Sequence, residues 1–334
     1  MFPFRKFRCP HCDSFHVQRR GKQNNKQRYF CNNCKKYSNS SRKDISHSNR
    51  LIWFRQWVEY GHTIDYISNR SGYSERTLKR YFNEYLKNYP QWHIRSSEKV
   101  NLLIDATYFS NKVCLILYQD NNLKATQLYR LTNNEWFSEI TEDIDNLISL
   151  GICIESVTCD GAASIIKAVR KSSAETIIQR CTVHVQREVL IWLTKNPKSE
   201  AGKELRSIAC SLNKITDKEE WGYWIVKLIK WEEKHRAYLN QKTYPEDDSK
   251  KAWFTHKMVR KSFVHIKRAL PDLFHYLDNP NIPKSTNALE SFFGHLKTNL
   301  RQHRGLSKEH FKCYIKWYLF FKNNRDKYKK RTQK

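Results

Sequence analysis

The sequence contains no long apolar run, no internal repeat and no long low-complexity tract. Because no window approaches eighteen apolar residues, a transmembrane helix is excluded. The first residues also lack the apolar segment of a secretory signal peptide. We therefore expect a cytoplasmic protein without a membrane partner, in a reducing setting where cysteines are thiols or metal ligands before they are disulfides.

Acidic residues are scarce as well. The 334 residues include 33 Asp and Glu against 61 Lys and Arg, which gives a formal net charge of +28, and the sequence pI is about 9.7. Such an excess of positive charge favours a polyanion, most often nucleic acid, over an acidic small molecule. The chain also exceeds the usual size of one domain and can bury at least one large core.

Two cysteine pairs with the spacing of a metal site lie near the start: Cys9 with Cys12, and Cys31 with Cys34. The pattern C-x2-C…C-x2-C predicts one structural Zn²⁺ held by four thiolates, with disulfides as the alternative. The metal replaces the core that so short a segment cannot build. Between the pairs, Arg19 and Arg20 belong to a polar, cationic hairpin that suits a phosphate backbone or is simply solvated.

Residues 45–96 predict three helices, with a turn at Gly72 between the second and the third. Thr63 is the expected cap of the second helix and Ser74 that of the third. This order is that of a helix-turn-helix, although any amphipathic three-helix unit has a similar pattern. The basic side chains of the third helix that would enter a DNA major groove are Arg76, Lys79 and Arg80.

Asp105 lies in the middle of Val100–Phe109, an apolar, β-prone run that we interpret as a buried strand. A charge at that depth needs a partner: a basic side chain, a metal ion shared with other carboxylates, or the polar neighbours of an ordinary core aspartate. The elements expected next are strands at 113–118 and 124–131, a helix at 134–150, a strand at 153–160, a helix at 161–170 and a strand at 176–185. This order predicts a ribonuclease H-like α/β domain in which Asp105 and Asp160 stand side by side.

From residue 187 to about 280 the chain is helical and polar. Its tryptophans are interpreted as core residues rather than as base-stacking groups: Trp192, Trp221, Trp224 and Trp231. A later helix places Glu290 one turn after its start. His303 and Arg304 follow it, and are either phosphate ligands or part of a plain basic loop.

Three carboxylates from these elements form a candidate metal site: Asp105, Asp160 and Glu290. Phosphodiester cleavage commonly uses two Mg²⁺ ions (or Mn²⁺) about 4 Å apart, held by hard oxygen ligands. Asp105 is the expected bridging ligand and the other two hold one ion each. Because the chain has 33 acidic residues, spacing alone supports this choice weakly.

Four short motifs, in the same order, resemble those of the Mutator-type bacterial insertion-sequence transposases, which are DDE enzymes. They are residues 103–107 with Asp105, residues 157–162 with Asp160, the C-x2-H element of Cys181 and His184, and residues 286–290 with Glu290. Residues 303–307 resemble a sub-branch that carries an N-terminal zinc ribbon. The resemblance extends over most of residues 98–325.

The resemblance implies a transposase that binds the terminal inverted repeats of an insertion sequence. It implies two-metal-ion cleavage of a strand, followed by transfer of the freed 3′-hydroxyl into target DNA. It further implies double-stranded DNA as partner, a homodimer on paired ends, and a nucleoid-associated protein of a bacterial cytoplasm. By analogy, His184 acts at the catalytic site and Cys181 shapes it, with a packing pair or a second zinc site as alternatives.

The expected domains are a zinc ribbon (1–44), a helix-turn-helix (45–96), an RNase H-like catalytic domain in two parts (97–190 and 283–334) and an all-α insertion (191–282). Three rival functions remain at this point. They are a non-catalytic DNA-binding regulator derived from a transposase, a structure-selective RNase H-like nuclease, and a structural RNA-binding protein.

Overall fold

The computed structural model of the chain describes residues 8–12, 14–39, 47–95, 99–110, 112–245 and 251–325. The Ser, Asn and Arg content of residues 38–48 predicts a linker, and residues 40–46 of it lie outside the described residues. The sequence also predicts a break in the helical region at residues 244–248 and frayed residues from 327 onward; residues 246–248 and the whole terminal stretch lie outside the described residues as well.

The strands, in chain order, are β1 (Val17–Gln23), β2 (Lys26–Cys31), β3 (Tyr37–Asn39), β4 (Val100–Phe109), β5 (Val113–Asp120), β6 (Ala125–Thr132), β7 (Ile154–Cys159), β8 (Ile177–Arg180), β9 (Lys242–Thr243) and β10 (Trp253–Phe254). The α-helices are α1 (His47–Glu59), α2 (Ile64–Ser71), α3 (Glu75–Lys87), α4 (Phe137–Ser149), α5 (Ala163–Ser172), α6 (Thr182–Leu193), α7 (Glu200–Ser211), α8 (Lys218–Asn240), α9 (Lys257–Ala269), α10 (Asn287–Gln302) and α11 (Lys308–Asn323).

The chain divides into two compact units, and each is described by itself. The first comprises Met1–Pro90 with Lys297–Lys334, and the second Gln91–Leu296. The division falls inside α10, so the range 283–334, expected as one part of a domain, contributes to both units. The other domain boundaries stay predictions.

The first unit begins with a small antiparallel sheet in the order β1-β2-β3. β1 and β2 form a hairpin whose turn residues, Asn24 and Asn25, both have positive φ (52° and 58°). Asparagine tolerates this left-handed conformation better than most residues, and such turns match the twist of paired strands. The polar hairpin expected between the cysteine pairs is therefore present.

The three helices predicted after it are also present, and both predicted caps are confirmed. The hydroxyl of Thr63 accepts from the Tyr66 N–H at 3.2 Å, and that of Ser74 from the Thr77 N–H at 3.3 Å. Gly72 ends α2 in the left-handed region (φ 73°), where glycine carries no steric cost.

Aromatic rings hold α11 to these helices within the first unit. Phe54 of α1 lies among the rings of Tyr85, Trp317 and Phe321, at centroid distances of 4.7, 5.4 and 6.2 Å. The Trp317 indole N–H bonds the main-chain carbonyls of Tyr85 and Asn88, so its polar edge is satisfied although the ring is buried.

The second unit contains a mixed five-stranded sheet in the order β6-β5-β4-β7-β8. The central strand β4 is antiparallel to β5 and parallel to β7, and β7 is parallel to β8. Apolar side chains of α4 and α5, including Ile140, Ile144 and Ile165, are buried with those of β4 and β7 in one core. The mixed α/β class and the strand order along the chain are confirmed.

One strand prediction is wrong in part. Residues 176–185 were expected to form a single strand, but β8 ends at Arg180 and α6 begins at Thr182. The β-branched residues at 182, 183 and 185 suggest a strand locally. The buried positions Val185, Val189 and Leu193 instead recur every four residues, which is the spacing of one helix face.

Helices α6 to α9 form the second core of this unit. Trp224 and Trp231 are buried in it, and their indole N–H groups donate to the carbonyls of Ile208 and Ala201. Their interpretation as core residues is confirmed. Trp221, in contrast, is 39% exposed, so its expected burial is wrong. No helix within the described ranges is long and apolar enough to cross a membrane.

Candidate active site and metal centre

Asp105 sits in the central strand β4 and is only 7% exposed. Burial raises the pKa of its carboxyl to about 7, and the neighbouring charges of Asp160 and Glu290 add to this rise. The Ala106 N–H donates to Oδ1 of Asp105 at 2.9 Å, and this hydrogen bond acts in the opposite direction by lowering the pKa. The carboxylate is thus fixed by main chain and lies within electrostatic reach of the other two predicted acids.

Asp160 follows the last residue of β7, the strand beside β4. Its Oδ1 accepts from the Ala162 N–H at 2.8 Å, which orients the side chain. The Arg180 guanidinium donates to the Asp160 main-chain carbonyl at 3.2 Å. Gly161, next in sequence, has φ 96°, a conformation that only glycine adopts readily.

Glu290 lies in the first turn of α10 and is bound through both of its oxygens. Arg187 of α6 donates from Nη1 to Oε1 at 2.7 Å and from Nη2 to Oε2 at 2.9 Å. His184 Nε2 lies 3.1 Å from Oε1. These hydrogen bonds, chiefly that of Arg187, hold the pKa of Glu290 below its ordinary value.

Cys181 and His184 form a pair beside this carboxylate. Burial opposes ionisation of the thiol, but hydrogen bonds from His184 and Thr286 outweigh it, and the pKa of Cys181 is lowered. The bond to Cys181 raises the pKa of His184 to about 9. The His184 ring therefore lies between the Cys181 sulfur and Glu290, with the Thr286 hydroxyl 3.4 Å from Nδ1. His184 is on a helix, not on the predicted strand.

The donor set fits divalent magnesium or manganese, because carboxylate oxygens are the hard ligands these ions prefer. Within the described residues, only the four cysteines place three or more metal-ligand atoms within 4.8 Å of one another. Asp105, Asp160 and Glu290 are therefore spread more widely than that. Two ions about 4 Å apart need a wider cage than a single ion does.

The four predicted zinc ligands do converge: Cys9, Cys12, Cys31 and Cys34. Cys9 Sγ lies 3.5 Å from Cys34 Sγ, and Cys12 Sγ lies 3.5 Å from Cys31 Sγ. Sulfur atoms bound 2.3 Å from one ion in a tetrahedron have a similar separation. This group fits the zinc ion of a zinc ribbon.

The predicted DNA-binding residues of the small sheet and of α3 are exposed. Arg20 donates to Gln18, and Lys79 pairs with Glu75 at 2.9 Å. Arg76 and Arg80 lie on the face of α3 opposite its buried side chains, Leu78, Phe82 and Leu86. The basic surface expected from the sequence therefore faces solvent.

His303 is placed differently from a free phosphate ligand. It is 9% exposed, and its Nε2–H donates to the Trp57 carbonyl at 2.9 Å while the two rings lie 4.4 Å apart. Burial lowers the pKa of the imidazole. Because Nε2 of His303 already donates to a main-chain carbonyl of α1, we interpret His303 as a packing residue of the first unit. Arg304, in contrast, is exposed.

Two residues of this site were not anticipated from the sequence, Arg180 and Arg187. Arg187 follows His184 by three residues, so that both project from one face of a helix. Because residues 176–185 were interpreted as a strand, the helical spacing of His184 and Arg187 did not indicate that the two side chains belong to one site.

Residues 142–253 match the family model described as "Transposase, Mutator family". The matched segment contains Asp160, Cys181, His184 and Arg187 and the whole of helices α6 to α8. Asp105 and Glu290 lie outside it. A search of curated proteins finds no match to the chain.

Proposed function

We propose that the chain, whose residues 142–253 match the Mutator family of transposases, binds the terminal inverted repeats of an insertion sequence. It then cleaves a strand at each repeat and transfers the freed 3′-hydroxyl into target DNA. The observation that supports this proposal most is the position of Asp105 and Asp160 on adjacent parallel strands, with Glu290 close enough to affect the pKa of Asp105.

The catalytic domain is proposed to be RNase H-like. The central strand β4 carries one acid, the adjacent parallel strand β7 leads into the second, and α10 brings the third from a distant part of the chain. Residues 191–282, which contain α7 to α9, lie between the second and third acids in sequence and are the proposed insertion.

Asp105, Asp160 and Glu290 are the proposed ligands of two Mg²⁺ or Mn²⁺ ions. When bound, these ions neutralise charge on the scissile phosphate and on the oxygens that attack and leave. The Ala106 and Ala162 N–H groups hold the two aspartates in fixed orientations, which lowers the cost of organising the site. His184, protonated between Cys181 and Glu290, keeps the third carboxylate in place.

DNA binding is assigned to the exposed basic residues of the N-terminal elements and to Arg304. With a net charge of +28, affinity for any DNA should fall steeply as salt rises, because each phosphate contact releases counterions. The proposed helix-turn-helix and zinc ribbon then supply the preference for the repeat. Pairing of two DNA ends requires two chains, so a homodimer is expected on the DNA.

Asp105→Asn tests the catalytic assignment, with Asp145→Asn, at an exposed position of α4 in the same unit, as the control. A duplex taken from the DNA that borders the coding region should bind both variants like the wild type. Loss of a metal ligand removes several kcal/mol of transition-state stabilisation, so cleavage and joining by Asp105→Asn should fall by about 10³-fold. Cleavage by Asp105→Asn at the wild-type rate would reject the acidic site, whereas a wild-type protein that binds the duplex without cleaving it would favour a non-catalytic regulator.

A second measurement separates the proposal from a structure-selective nuclease. In competition between repeat DNA and a branched duplex of unrelated sequence, a transposase cleaves the repeat in preference. Cleavage that follows the branch and ignores the repeat would favour the nuclease.

A further inference from the structure

Arg187 occupies both oxygens of Glu290, the carboxylate proposed as the third metal ligand. Its two terminal nitrogens make separate bonds of 2.7 and 2.9 Å to Oε1 and Oε2. The two residues are 103 positions apart in sequence, so the pair forms only in the folded second unit. Each carboxylate oxygen of Glu290 therefore already accepts a hydrogen bond from the charged guanidinium.

We propose that Arg187 is a displaceable cation of the active site, which binds Glu290 in the free protein and turns to a phosphate of bound DNA once Glu290 takes up a divalent ion. This role presupposes the transposase activity proposed above and assigns one of its phosphate-binding groups.

Arg187 and a divalent ion compete for the carboxylate of Glu290. A planar guanidinium that forms two parallel bonds to a carboxylate uses the lone pairs that a metal ion would use. Each oxygen keeps a second lone pair, but the positive guanidinium beside it repels a cation, so a metal ion binds Glu290 more tightly once Arg187 has turned away. The released guanidinium carries a full charge and the fork geometry that phosphate accepts.

Arg187, rather than His184, is the partner placed to move. The Arg187 side chain is 49% exposed, whereas that of His184 is 21% exposed. His184 is also held by Cys181 and Thr286, through the bonds described above. A long, half-exposed side chain reaches a new partner by changing rotamers, while the histidine keeps its position.

The opposite possibility is a permanent structural pair that fastens α10 to α6. The two roles differ in what happens to metal affinity when Arg187 is removed. A permanent fastener supports Glu290, so its loss weakens metal binding. A competitor blocks Glu290, so its loss strengthens metal binding.

Calorimetric titration of the DNA-free, full-length protein with Mn²⁺ measures this difference without any turnover. Arg187→Gln should bind Mn²⁺ about fivefold more tightly than the wild type, the size expected for one solvent-accessible ion pair. Arg170→Gln is the matched control: it removes the same charge from the same unit, but its partner is Asp272, and the affinity should not change. An unchanged or weaker affinity in Arg187→Gln overturns the proposal.

Glu290→Gln in the same titration distinguishes this failure from failure of the proposed function. If Glu290→Gln binds Mn²⁺ as the wild type does, Glu290 is not a ligand, and both the metal site and the competition are rejected. If Glu290→Gln loses affinity and Arg187→Gln gains none, the metal site stands and only the competition is rejected.

DNA affinity supplies the second half of the test, with Ca²⁺ added so that binding is measured apart from cleavage. Added Ca²⁺ should raise the affinity of the wild type for a terminal-repeat duplex more than that of Arg187→Gln, because only the wild type gains a freed guanidinium. Without Ca²⁺ the two should bind alike. If Ca²⁺ raises the DNA affinity of the wild type and of Arg187→Gln equally, the proposal that Arg187 moves to a phosphate is wrong. Arg187→Lys, which keeps the charge but not the fork, is the second variant should the Gln variant unfold.

Discussion

The guanidinium of Arg180 occupies the space that a side chain at Gly161 would need. A Cβ at Gly161 would collide with Cζ, Nε and Nη2 of Arg180. The same guanidinium donates to the carbonyl of Asp160, and Arg180 is itself 9% exposed. The two residues together fix the main chain that carries Asp160, the second proposed metal ligand.

Gly161→Ala should therefore damage catalysis more than folding. Positive φ alone costs a non-glycine residue about 1–3 kcal/mol, and displacement of Arg180 shifts Asp160. We expect cleavage of repeat DNA to fall by about 10²-fold, since misplacement by about 1 Å has an effect of that size. Steady-state cleavage assays and thermal unfolding of the same preparation measure the two effects.

Gly222→Ala is the control for this substitution. Gly222 lies inside α8, and a Cβ at this position would have no atom within 4 Å. Alanine should therefore stabilise the helix by up to about 1 kcal/mol. Cleavage by Gly161→Ala at the wild-type rate would mean that the Asp160 main chain does not need this packing.

Zinc content tests the cysteine site. Cys12→Ser removes one of four converging thiolates, and we expect the zinc content of purified protein to fall from about one ion per chain to nearly none. Cys210→Ser, at an exposed cysteine of α7, should leave the content unchanged. Plasma mass spectrometry gives the content, and wild-type protein without zinc would contradict the assignment.

Local sequence patterns predicted those parts of the fold that local physics decides. The caps at Thr63 and Ser74, the apolar strands and the paired cysteines each depend on residues close in sequence. The start of α6 was misplaced because β-branched residues favour a strand, while packing of Val185 and Val189 in the core decides for a helix. Propensity is a weak prior that tertiary contacts override.

Contacts between distant residues lay beyond such reasoning. Arg187 meets Glu290 across 103 positions, and His303 meets Trp57 across 246. Neither contact is marked by composition or spacing: Arg187 was not anticipated at all, and His303 was predicted without its partner Trp57. Asp105, Asp160 and Glu290 were chosen among the 33 acidic residues because they lie in short motifs that occur in the same order in the transposase family.

Trp231 should act as a core residue and not as a base-stacking group. It is 3% exposed, and its indole N–H donates to the Ala201 carbonyl. Trp231→Ala should lower the free energy of unfolding by about 3–5 kcal/mol, measured by urea denaturation. Tyr223→Ala, at a 65% exposed position of the same helix, should change it by no more than about 0.5 kcal/mol. Weaker DNA binding by Trp231→Ala at wild-type stability would contradict the core assignment.

His303 should make the stability of the protein depend on pH. Burial lowers its pKa below the ordinary value of 6.5 in the folded state, so below that pH the unfolded chain binds more protons than the folded one. The stability that the neutral ring contributes is present above pH 6.5 and is lost as the pH falls through the lowered pKa.

His303→Gln retains an N–H donor for the Trp57 carbonyl but cannot titrate in this range. Urea denaturation from pH 8 to pH 5 should therefore show a smaller loss of stability in His303→Gln than in the wild type. The same change at His295, which is exposed on α10, serves as the control and should leave the wild-type dependence intact. Parallel curves for His303→Gln and the wild type would show that the ring is not buried as a neutral group.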